Sequence, residues 1–361
     1  MTKKVLTNFG FKVGANSFTN WTSMRVHTSM LSLVDSFGFM DVDFSRGDYS
    51  RWQIKRDQTV SVFIENETVI TGWIDSIPKE YSPESFNIKF IGRDKTCDLV
   101  DCCYVESNNE FKRQTRANII RRLLAPFNIE LVIDATAAQA ANVKIDTFKA
   151  GEGRFIYDDI TELCRDSGLL ALSYGDGKLT LTKTRQTEKA NDSIQFGVNA
   201  IYGKHIDDYT DRFSDYYVKG YGTGADSKRL ADFISPVGYF KDEVVSRYRP
   251  FTVFADRAAD SGKCYERAKW EARIRAGLSQ AIVYQVPGWL QSDNSIWKKN
   301  TIVTVYDPIL GLDAQQLLIC DVDYVYDEKE NPSAFCSLLL VDPDTFSGTA
   351  ADINIKTGFD A

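Results

Sequence analysis

Two stretches of the chain, one near each end, share the same order of a tryptophan followed by three segments with strand patterns. In sequence order these are Trp52, 60–62, 69–77 and 86–91 in the first stretch, and Trp297, 303–305, 317–326 and 335–341 in the second. The match in order and spacing predicts one β-barrel module that is used twice in the chain. Any two antiparallel meanders would share such an order, so coincidence stays open as the alternative.

Length and composition allow this architecture. A chain of 361 residues corresponds to about two to three domains at ~150 residues each. It is 43% hydrophobic and 26% charged, which excludes a wholly disordered or collagen-like chain. Aromatic residues reach 12%, and this favours strands and interfaces over bundles of helices.

Between the two stretches the apolar period changes to that of helices. A helix with one apolar face is predicted before Pro126, which must end it. Its apolar residues are Ile119, Ile120, Leu123 and Leu124. Two more helices are predicted over 155–167 and 256–276, and a hairpin loop at 175–177. The predicted fold class is therefore α+β, mainly β, with two antiparallel β-barrel domains and smaller α+β domains.

These patterns divide the chain into segments. They are a first barrel over 1–105, an α+β middle domain over 106–192, a second barrel over 193–225 and 281–345, a helical or α+β insertion over 226–280, and a C-terminal tail over 346–361. The stretch from Asp342 onwards is polar and rich in small residues. We expect it to be a loose tail that orders only on a partner.

Charge and cysteine use constrain the partners and the compartment. Lys and Arg number 43 against 50 Asp and Glu, a net charge of −7, which disfavours broad electrostatic capture of nucleic acid or of an anionic membrane. We expect neither a membrane span, which needs ~18 apolar residues, nor a signal peptide, since the first residues lack an apolar core. Seven cysteines without a Cys-x-x-Cys pair predict reduced, mostly buried thiols made in a cytoplasm.

The sequence contains no recognisable catalytic or metal-binding set. His27 and His205 lack the spacing of a zinc site. The glycine-rich segment 220–224 lacks the Gly-Lys-Ser/Thr of a phosphate-binding loop. Short motifs of serine β-lactamases and penicillin-binding proteins occur in 292–298 and 356–358, but in the wrong order. Neither an enzyme nor a cofactor is therefore predicted.

Short motifs that carry no chemistry of their own are spread over both halves of the chain. Their central residues are Trp52, Gly92, Arg93, Asp94 and Asp101 in the first half, and Trp289, Trp297, Pro308 and Gly311 in the second. In this order the motifs resemble those of the baseplate hub proteins of Mu-like contractile-tailed phages, over nearly the whole chain. Asp94 and Cys97 depart from the family's pattern, where small or polar residues are expected.

The resemblance implies a structural protein, a homotrimer at the centre of the baseplate in which the two tube-like antiparallel β-barrel domains of each chain form a pseudo-sixfold ring. Such a ring would join the hexameric tail tube to the trimeric spike and let DNA pass transiently. The implied partners are further copies of the chain, the tail spike or needle protein, the tail tube or tube-adaptor protein, and the baseplate wedge proteins. The implied location is the tail baseplate of the virion, after synthesis in the bacterial host cytoplasm and without membrane insertion.

Asp321 and Asp323 are candidates for the lining of such a ring. Alternate strand positions share one face, so these two point one way and Val322 and Tyr324 the other. Acidic side chains in the lumen would repel the phosphate backbone and let DNA slide. The alternative is that both lie on the outer wall in water.

Two functions of other classes stay open. One is a tail-associated peptidoglycan hydrolase, which needs an acid of raised pKa beside a second carboxylate. The other is a receptor- or glycan-binding tail protein, for which exposed tyrosines would be the contacts. A hub is expected to trimerise or to join the spike protein, whereas a hydrolase can act as a monomer.

Overall fold

The fold is built on one large sheet with strands from both ends of the chain. The computed structural model describes residues 8–41, 54–83, 86–165, 167–185, 187–221, 236–258 and 261–347. Within these ranges 14 strands form a single, mainly antiparallel sheet, and three smaller sheets accompany it. The predicted α+β, mainly β class is confirmed. Trp52 and residues 222–224 lie outside the described residues.

The first module comprises the strands that precede the first helix. They are β1 (Phe9–Val13), β2 (Asn16–Phe18), β3 (Ser23–Ser29), β4 (Ser36–Asp41), β5 (Thr59–Ile64), β6 (Glu67–Ser76), β7 (Lys79–Tyr81) and β8 (Phe86–Asp94), followed by α1 (Cys97–Asp101). Their order in the sheet is β3-β4-β8-β6-β5-β1-β2, with β7 paired to β8. The turn between β5 and β6 uses residues 65 and 66, with Glu65 at φ 52°.

The middle domain mixes short strands with helices, as predicted. Its elements are β9 (Glu110–Thr115), α2 (Arg116–Leu124), β10 (Leu131–Ile133), α3 (Ala138–Ala141), β11 (Lys144–Lys149), α4 (Ile156–Arg165), β12 (Leu170–Leu172) and β13 (Leu179–Thr182), with 3-10 turns at Ala125–Phe127 and Ala135–Ala137. The helix α2 ends just before Pro126, and α4 lies inside the predicted 155–167. Their apolar faces form a core separate from that of the main sheet.

The remainder of the chain supplies the second module and an insertion. The elements are β14 (Ile194–Gln195), β15 (Tyr202–His205), β16 (Asp215–Tyr221), β17 (Val237–Lys241), β18 (Pro250–Ala258), α5 (Ser261–Ser279), β19 (Ile282–Pro287), β20 (Ile302–Asp307), β21 (Leu312–Asp327) and β22 (Ala334–Val341). The second module has the order β15-β19-β22-β21-β20-β14, and the insertion contains β16 to β18 and α5.

The two modules repeat one strand order. The series β3-β4-β8-β6-β5-β1 in the first matches β15-β19-β22-β21-β20-β14 in the second. Both also carry a β-bulge at the equivalent point, between Ile74 and Ser76 on β6 and between Ile319 and Asp321 on β21. They differ in one pairing, because β1 runs antiparallel to β5 while β14 runs parallel to β20. The predicted duplication is confirmed in strand order, and the shared bulge argues against coincidence.

The long strand β21 joins the two modules. Its first part pairs with β20, and its last part pairs with β22 on one side and with β3 on the other. The hydrogen-bonded ladder therefore continues from the second module into the first. The apolar faces of both modules share one core, which includes Phe11, Phe90, Trp289 and Tyr324.

One strand predicted for the second barrel lies elsewhere. The segment 193–225 includes β16, but β16 pairs with β17 and β18, and this small sheet packs on α5. A Cβ at Gly238 would lie 2.0 Å from the carbonyl carbon of Cys264, so this glycine permits the close packing. The helix begins at Ser261 and not near 256 because β18 continues to Ala258. An alternating pattern predicts a strand but does not specify its sheet.

The expected loose tail begins later than predicted. Thr345 and Phe346 are buried, at 1% and 4% exposure, and the Arg273 guanidinium donates a hydrogen bond to Ser347 Oγ at 3.0 Å. A Cβ at Gly277 would lie 2.1 Å from Thr345 Oγ1, so the small residue on α5 admits this contact. Residues 348–361 lie outside the described residues.

Two tryptophans of the second module anchor its wall. Trp289 is 0% and Trp297 is 2% exposed, and both belong to the core that the two modules share. The Trp289 indole N–H donates to the carbonyl of Val325 at 3.0 Å. The Tyr324 hydroxyl donates to the carbonyl of Trp297.

We predict that Trp297→Ala lowers the free energy of unfolding by ~3–5 kcal/mol, because it leaves a cavity in the shared core. Urea unfolding followed by circular dichroism measures this loss. The matched control is Tyr248→Ala, since Tyr248 is 73% exposed and its removal should change stability by no more than about 0.5 kcal/mol. Equal stability of the two variants would contradict the anchoring role of Trp297.

Candidate functional site at the joint between the two modules

The pairing of β3 with β21 forms a joint that we call the seam. On the face of the sheet away from the core, Arg25 Nε donates to Asp323 Oδ1 at 3.0 Å, and His27 Nδ1 lies 3.0 Å from the same oxygen. Ser29 Oγ donates to Asp321 Oδ1 at 2.6 Å. Each of these contacts joins one module to the other, so the outer face of the seam is a polar clasp.

The electrostatics of the clasp favour its charged form. Burial opposes ionisation of Asp323, but hydrogen bonds from His27 and Arg25 lower the pKa of this carboxyl. The hydrogen bond to Asp323 in turn raises the pKa of His27. The alternation predicted for this strand is present, since Val322 and Tyr324 are buried on the core side, at 0% and 2% exposure.

A buried ion pair lies beneath the seam. Lys299, just before β20, places its Nζ 2.7 and 2.8 Å from the two carboxylate oxygens of Asp35. The same ammonium donates to the carbonyl of Ser29 at 2.9 Å, and the Ser29 N–H donates to Asp35 Oδ1 at 3.0 Å. The two side chains are only 4% and 1% exposed. Burial, partly offset by the charge of Lys299, raises the pKa of Asp35 to about 7.

Asp94 extends this buried network into the first module. Its Oδ1 accepts from the N–H and the hydroxyl of Thr96 at 3.0 and 2.6 Å, and its Oδ2 accepts from the Asp35 N–H at 3.3 Å. Burial raises the pKa of Asp94. Asp94, which departs from the family pattern, therefore holds the loop between β3 and β4 in place.

Neither Asp35 nor Lys299 is singled out by the sequence. Asp35 lies between the apolar Leu33-Val34 and Phe37. An acidic residue among apolar neighbours is the one local signal in the sequence that this charge is buried. Lys299 follows Lys298 in what reads as an ordinary polar loop. Their separation along the chain hides the pairing.

The neighbouring motif residues position the first module. The Arg93 guanidinium binds Asp75 at 2.7 Å and Asp101 at 2.8 Å. The hydrogen bond to Asp101, and to a smaller extent that to Asp75, raises the pKa of Arg93. A Cβ at Gly92 would lie 2.0 Å from the carbonyl oxygen of Trp73, so no larger residue fits there. The bulge on β6, the strand β8 and α1 are thus tied together by one arginine.

The motif around Pro308 and Gly311 forms the turn between β20 and β21. Gly311 has φ 69°, a left-handed conformation that favours glycine. Asp307 Oδ1 accepts from the Ile309 N–H at 2.9 Å, and Asp307 Oδ2 accepts from the Tyr284 hydroxyl at 2.7 Å. The motif therefore fixes a strand connection and provides no reactive group.

Trp289 lies next to the seam on the core side. Its ring meets that of Phe9 at 5.2 Å between centroids, and Phe9 meets Tyr326 at 4.8 Å. Phe9 belongs to the first module and the other two rings belong to the second. The seam is therefore closed by polar contacts on its outer face and by aromatic contacts on its inner face.

A cavity of about 410 Å³ lies where the two modules meet the middle domain. Its charged lining is largely paired within the wall. Arg185 binds Asp134 at 2.9 Å, and Lys298 binds Glu67 at 2.5 Å. The first of these contacts lies within the middle domain, and the second joins the two modules.

The described residues bring no catalytic constellation together. No group of three or more metal-ligating side chains occurs among them. The hydroxyl of Ser295 donates to Asp293 Oδ1 at 2.6 Å, while the Lys298 of its motif is engaged by Glu67. Five of the seven cysteines are buried, as predicted. No helix within the described ranges is long and apolar enough to span a membrane.

Three family models match the chain in sequence order. Residues 9–94 match the N-terminal domain of GpP-like baseplate assembly proteins of phage Mu. Residues 96–183 match the second domain of gp44-like baseplate hub proteins, and residues 261–349 match the fourth domain of the Mu baseplate assembly protein GpP.

Individual relatives agree over most of the chain. The baseplate hub protein gp44 of Escherichia phage Mu is 29% identical over 326 residues, 89% of this chain and 84% of that protein. The 43 kDa tail protein of prophage MuSo2 from Shewanella oneidensis superposes with a TM-score of 0.82 at 25% identity, over 94% of this chain and 99% of that one. A tail protein from Neisseria meningitidis MC58 shares the fold, with a TM-score of 0.79 at 20% identity, over 94% and 97%.

These matches extend over both modules and the middle domain in the order in which the chain presents them. They include the segments with Gly92, Arg93, Asp94 and Asp101, and those with Trp289 and Trp297, on which the sequence resemblance rests. The predicted family is thus confirmed. The chain belongs to the family of baseplate hub proteins of Mu-like phages.

Proposed function

We propose that the chain acts as a homotrimer whose six modules form a pseudo-sixfold ring between the hexameric tail tube and the trimeric spike. The observation that carries this proposal is the repetition of one strand order in a single continuous sheet. Three copies of a duplicated module present threefold and near-sixfold symmetry at once. A protein with that symmetry can bind a hexamer on one side and a trimer on the other.

A ring of this kind needs a rigid joint between the two modules of each chain. The ladder between β3 and β21, the clasp at Asp323 and the buried pair of Lys299 with Asp35 supply it. A buried pair contributes little net stability, but removal of one partner leaves an uncompensated charge. The angle between the modules is therefore held against bending.

The proposed partners would bind surfaces outside the sheet. On the insertion, Val237 and Tyr239 are 47% and 42% exposed and lie on the side of their strand opposite to α5. Exposed apolar patches of this kind suit protein contacts. We propose that the insertion and the middle domain bind the spike or needle protein and the baseplate wedge proteins. The ring itself would bind the tail tube or tube-adaptor protein.

DNA would pass through the ring without being held. The outer face of the sheet carries Asp321, Asp323 and the two carboxylates that surround Arg93, while Arg25 and His27 contact Asp323. If this face lines the lumen, its carboxylates would repel the phosphates of DNA. The protein would then be a component of the virion tail baseplate, made in the bacterial host cytoplasm.

A hydrolase receives less support from the structure. The two acids whose pKa values are raised to about 6 and about 7, Asp159 and Asp35, both face a cation, Arg154 at 3.3 Å and Lys299 at 2.7 Å. Both are engaged in structural contacts, and each is 0% exposed. A general acid must instead face the substrate.

We predict that the purified full-length chain forms a complex of three copies, either alone, with a mass three times that of one copy, or together with the spike protein encoded beside it. Sedimentation velocity measures this, and electron microscopy of the particle should reveal a ring. A monomer under both conditions would exclude the proposed ring.

We predict that Ser295 forms no covalent adduct with a penicillin, because its hydroxyl is held by Asp293 and lies in a loop between strands. Intact-protein mass spectrometry after incubation with the drug provides the check. A mass increase lost in Ser295→Ala would instead indicate an enzyme.

We predict that Lys299→Met lowers the free energy of unfolding by ~3–5 kcal/mol at pH 8, where the folded variant must either bury an unpaired Asp35 carboxylate or keep this carboxyl protonated above its ordinary pKa. Since the pKa of Asp35 is raised to about 7, this carboxyl is protonated at pH 5 and the loss should be smaller there. The effect therefore grows as pH rises through 7.

The control for this prediction is Lys298→Met, whose side chain is 53% exposed and whose removal should cost less than about 1 kcal/mol at either pH. Urea unfolding at both pH values measures all three proteins. A loss for Lys299→Met that is the same at pH 5 and pH 8 would contradict the role assigned to Asp35.

A further inference from the structure

The short strand β7 takes the place in the first module that the last part of β21 takes in the second. Each segment follows the shared bulge and pairs with the equivalent strand, β8 or β22. In β7, Lys79 pairs with Ile88, Glu80 with Asn87 and Tyr81 with Phe86. The corresponding pairs of β21 are, in the same order, Tyr324 with Cys336, Val325 with Phe335 and Tyr326 with Ala334. Glu80 is thus the counterpart of Val325, and Tyr81 that of Tyr326.

In the same way, β15 takes the place of β3. Ile91 and Leu339 both stand opposite the residue that follows the bulge. In the first module, Ile91 pairs with Gly38 on β4, and Gly38 pairs with Arg25 on β3. In the second module, Leu339 pairs with Val283 on β19, and Val283 pairs with Lys204 on β15. Lys204 is therefore the counterpart of Arg25, and Gly203 is that of Met24.

Within one chain, β3 and the last part of β21 pair with each other, but their counterparts do not meet. Among the described strands, β15 pairs with β19 alone and β7 pairs with β8 alone. An unpaired strand edge can pair with a strand of another chain, and natural proteins therefore cover or protect such edges. Tyr81 is 87% exposed, although its counterpart Tyr326 packs against Phe9 across the seam.

We propose that β15 of one copy pairs with β7 of the next copy and so repeats the seam between subunits. This inference rests on the proposed assembly of several copies and specifies where they join. The pairing is antiparallel, with Lys204 opposite Glu80 and Gly203 opposite Tyr81. Because the two edges differ, the contact is head-to-tail, and three such contacts close a ring.

The backbone geometry of both edges suits this register. The Ile206 N–H donates to Ala281 within the second module, and the Pro78 carbonyl accepts from the Lys89 N–H within the first. Since backbone groups alternate along a strand, those of Lys204 and Glu80 also face their own modules. Lys204 and Glu80 would therefore form a pair without mutual hydrogen bonds, in which Cα atoms are ~4.5 Å apart and side chains are close.

The side chains at this pair are complementary. Lys204 and Glu80 are both exposed, and neither has an ion pair among the described residues. They lie on the outer face of the sheet, as Arg25 and Asp323 do at the seam within the chain. Across the new joint, an ammonium opposite a carboxylate would repeat the polar clasp.

A disulfide tests the register directly. In the full-length double variant Lys204→Cys with Glu80→Cys, oxidation should link successive copies and yield a covalent trimer on a non-reducing gel. The matched control is Lys204→Cys with Lys79→Cys, which is one residue out of register and on the opposite face of β7. Cross-linking of the control but not of the first pair would overturn the proposed register.

Charge reversal provides a second test on residues that folding does not require. Lys204→Glu should weaken self-association by about fivefold for each contact, because like charges then face each other. Combining it with Glu80→Lys should restore the affinity of the unchanged protein, and both can be measured by sedimentation. An unchanged affinity in Lys204→Glu, or no restoration in the double variant, would contradict the pairing.

Trimerisation and cross-linking together separate the joint between β15 and β7 from the proposed ring. A chain that trimerises but gives no in-register cross-link retains the proposed function and overturns the joint between β15 and β7. A chain that stays monomeric, alone and with the spike protein, overturns both. A covalent trimer that closes only through the Lys204 and Glu80 positions supports both.

Discussion

The continuity of β21 is the constraint on which the rest of the structure depends. A strand of 16 residues serves both modules, so every hydrogen bond that fixes its register in one module also fixes the register in the other. A shift by one residue would turn Val322 and Tyr324 out of the core and bring Asp321 and Asp323 in. The shared core, the clasp and the placement of Trp289 all follow from that single register.

The buried pair of Lys299 and Asp35 is understandable in this setting. An apolar pair of the same shape would be at least as stabilising, so its role is specificity. Apolar surfaces slide with little penalty, whereas a buried ammonium meets its carboxylate in one arrangement only. Together with Asp94, which holds the same loop from the other side, it selects one angle between modules from the many that hydrophobic packing would tolerate.

Local patterns in the sequence were sufficient for most of the elements. The strands β5, β6 and β8 and the helices α2 and α4 follow from alternation, from helical spacing and from Pro126, because these signals act over a few residues. The motifs with Gly92, Arg93 and Trp289 identified the family. The prediction that β16 belongs to the second barrel is wrong, and the pairing of Lys299 with Asp35 is not predicted at all. Both depend on contacts between residues far apart in the chain, which a local pattern does not encode.

The insertion leaves and re-enters the sheet at neighbouring points, because His205 at the end of β15 pairs with Ile282 at the start of β19. To the sheet, everything between these residues is equivalent to the loop of a hairpin. A segment with adjacent ends can be enlarged, shortened or exchanged without disturbing the strands that hold it. Selection can thus remodel the insertion while the strand order of the two modules is inherited unchanged.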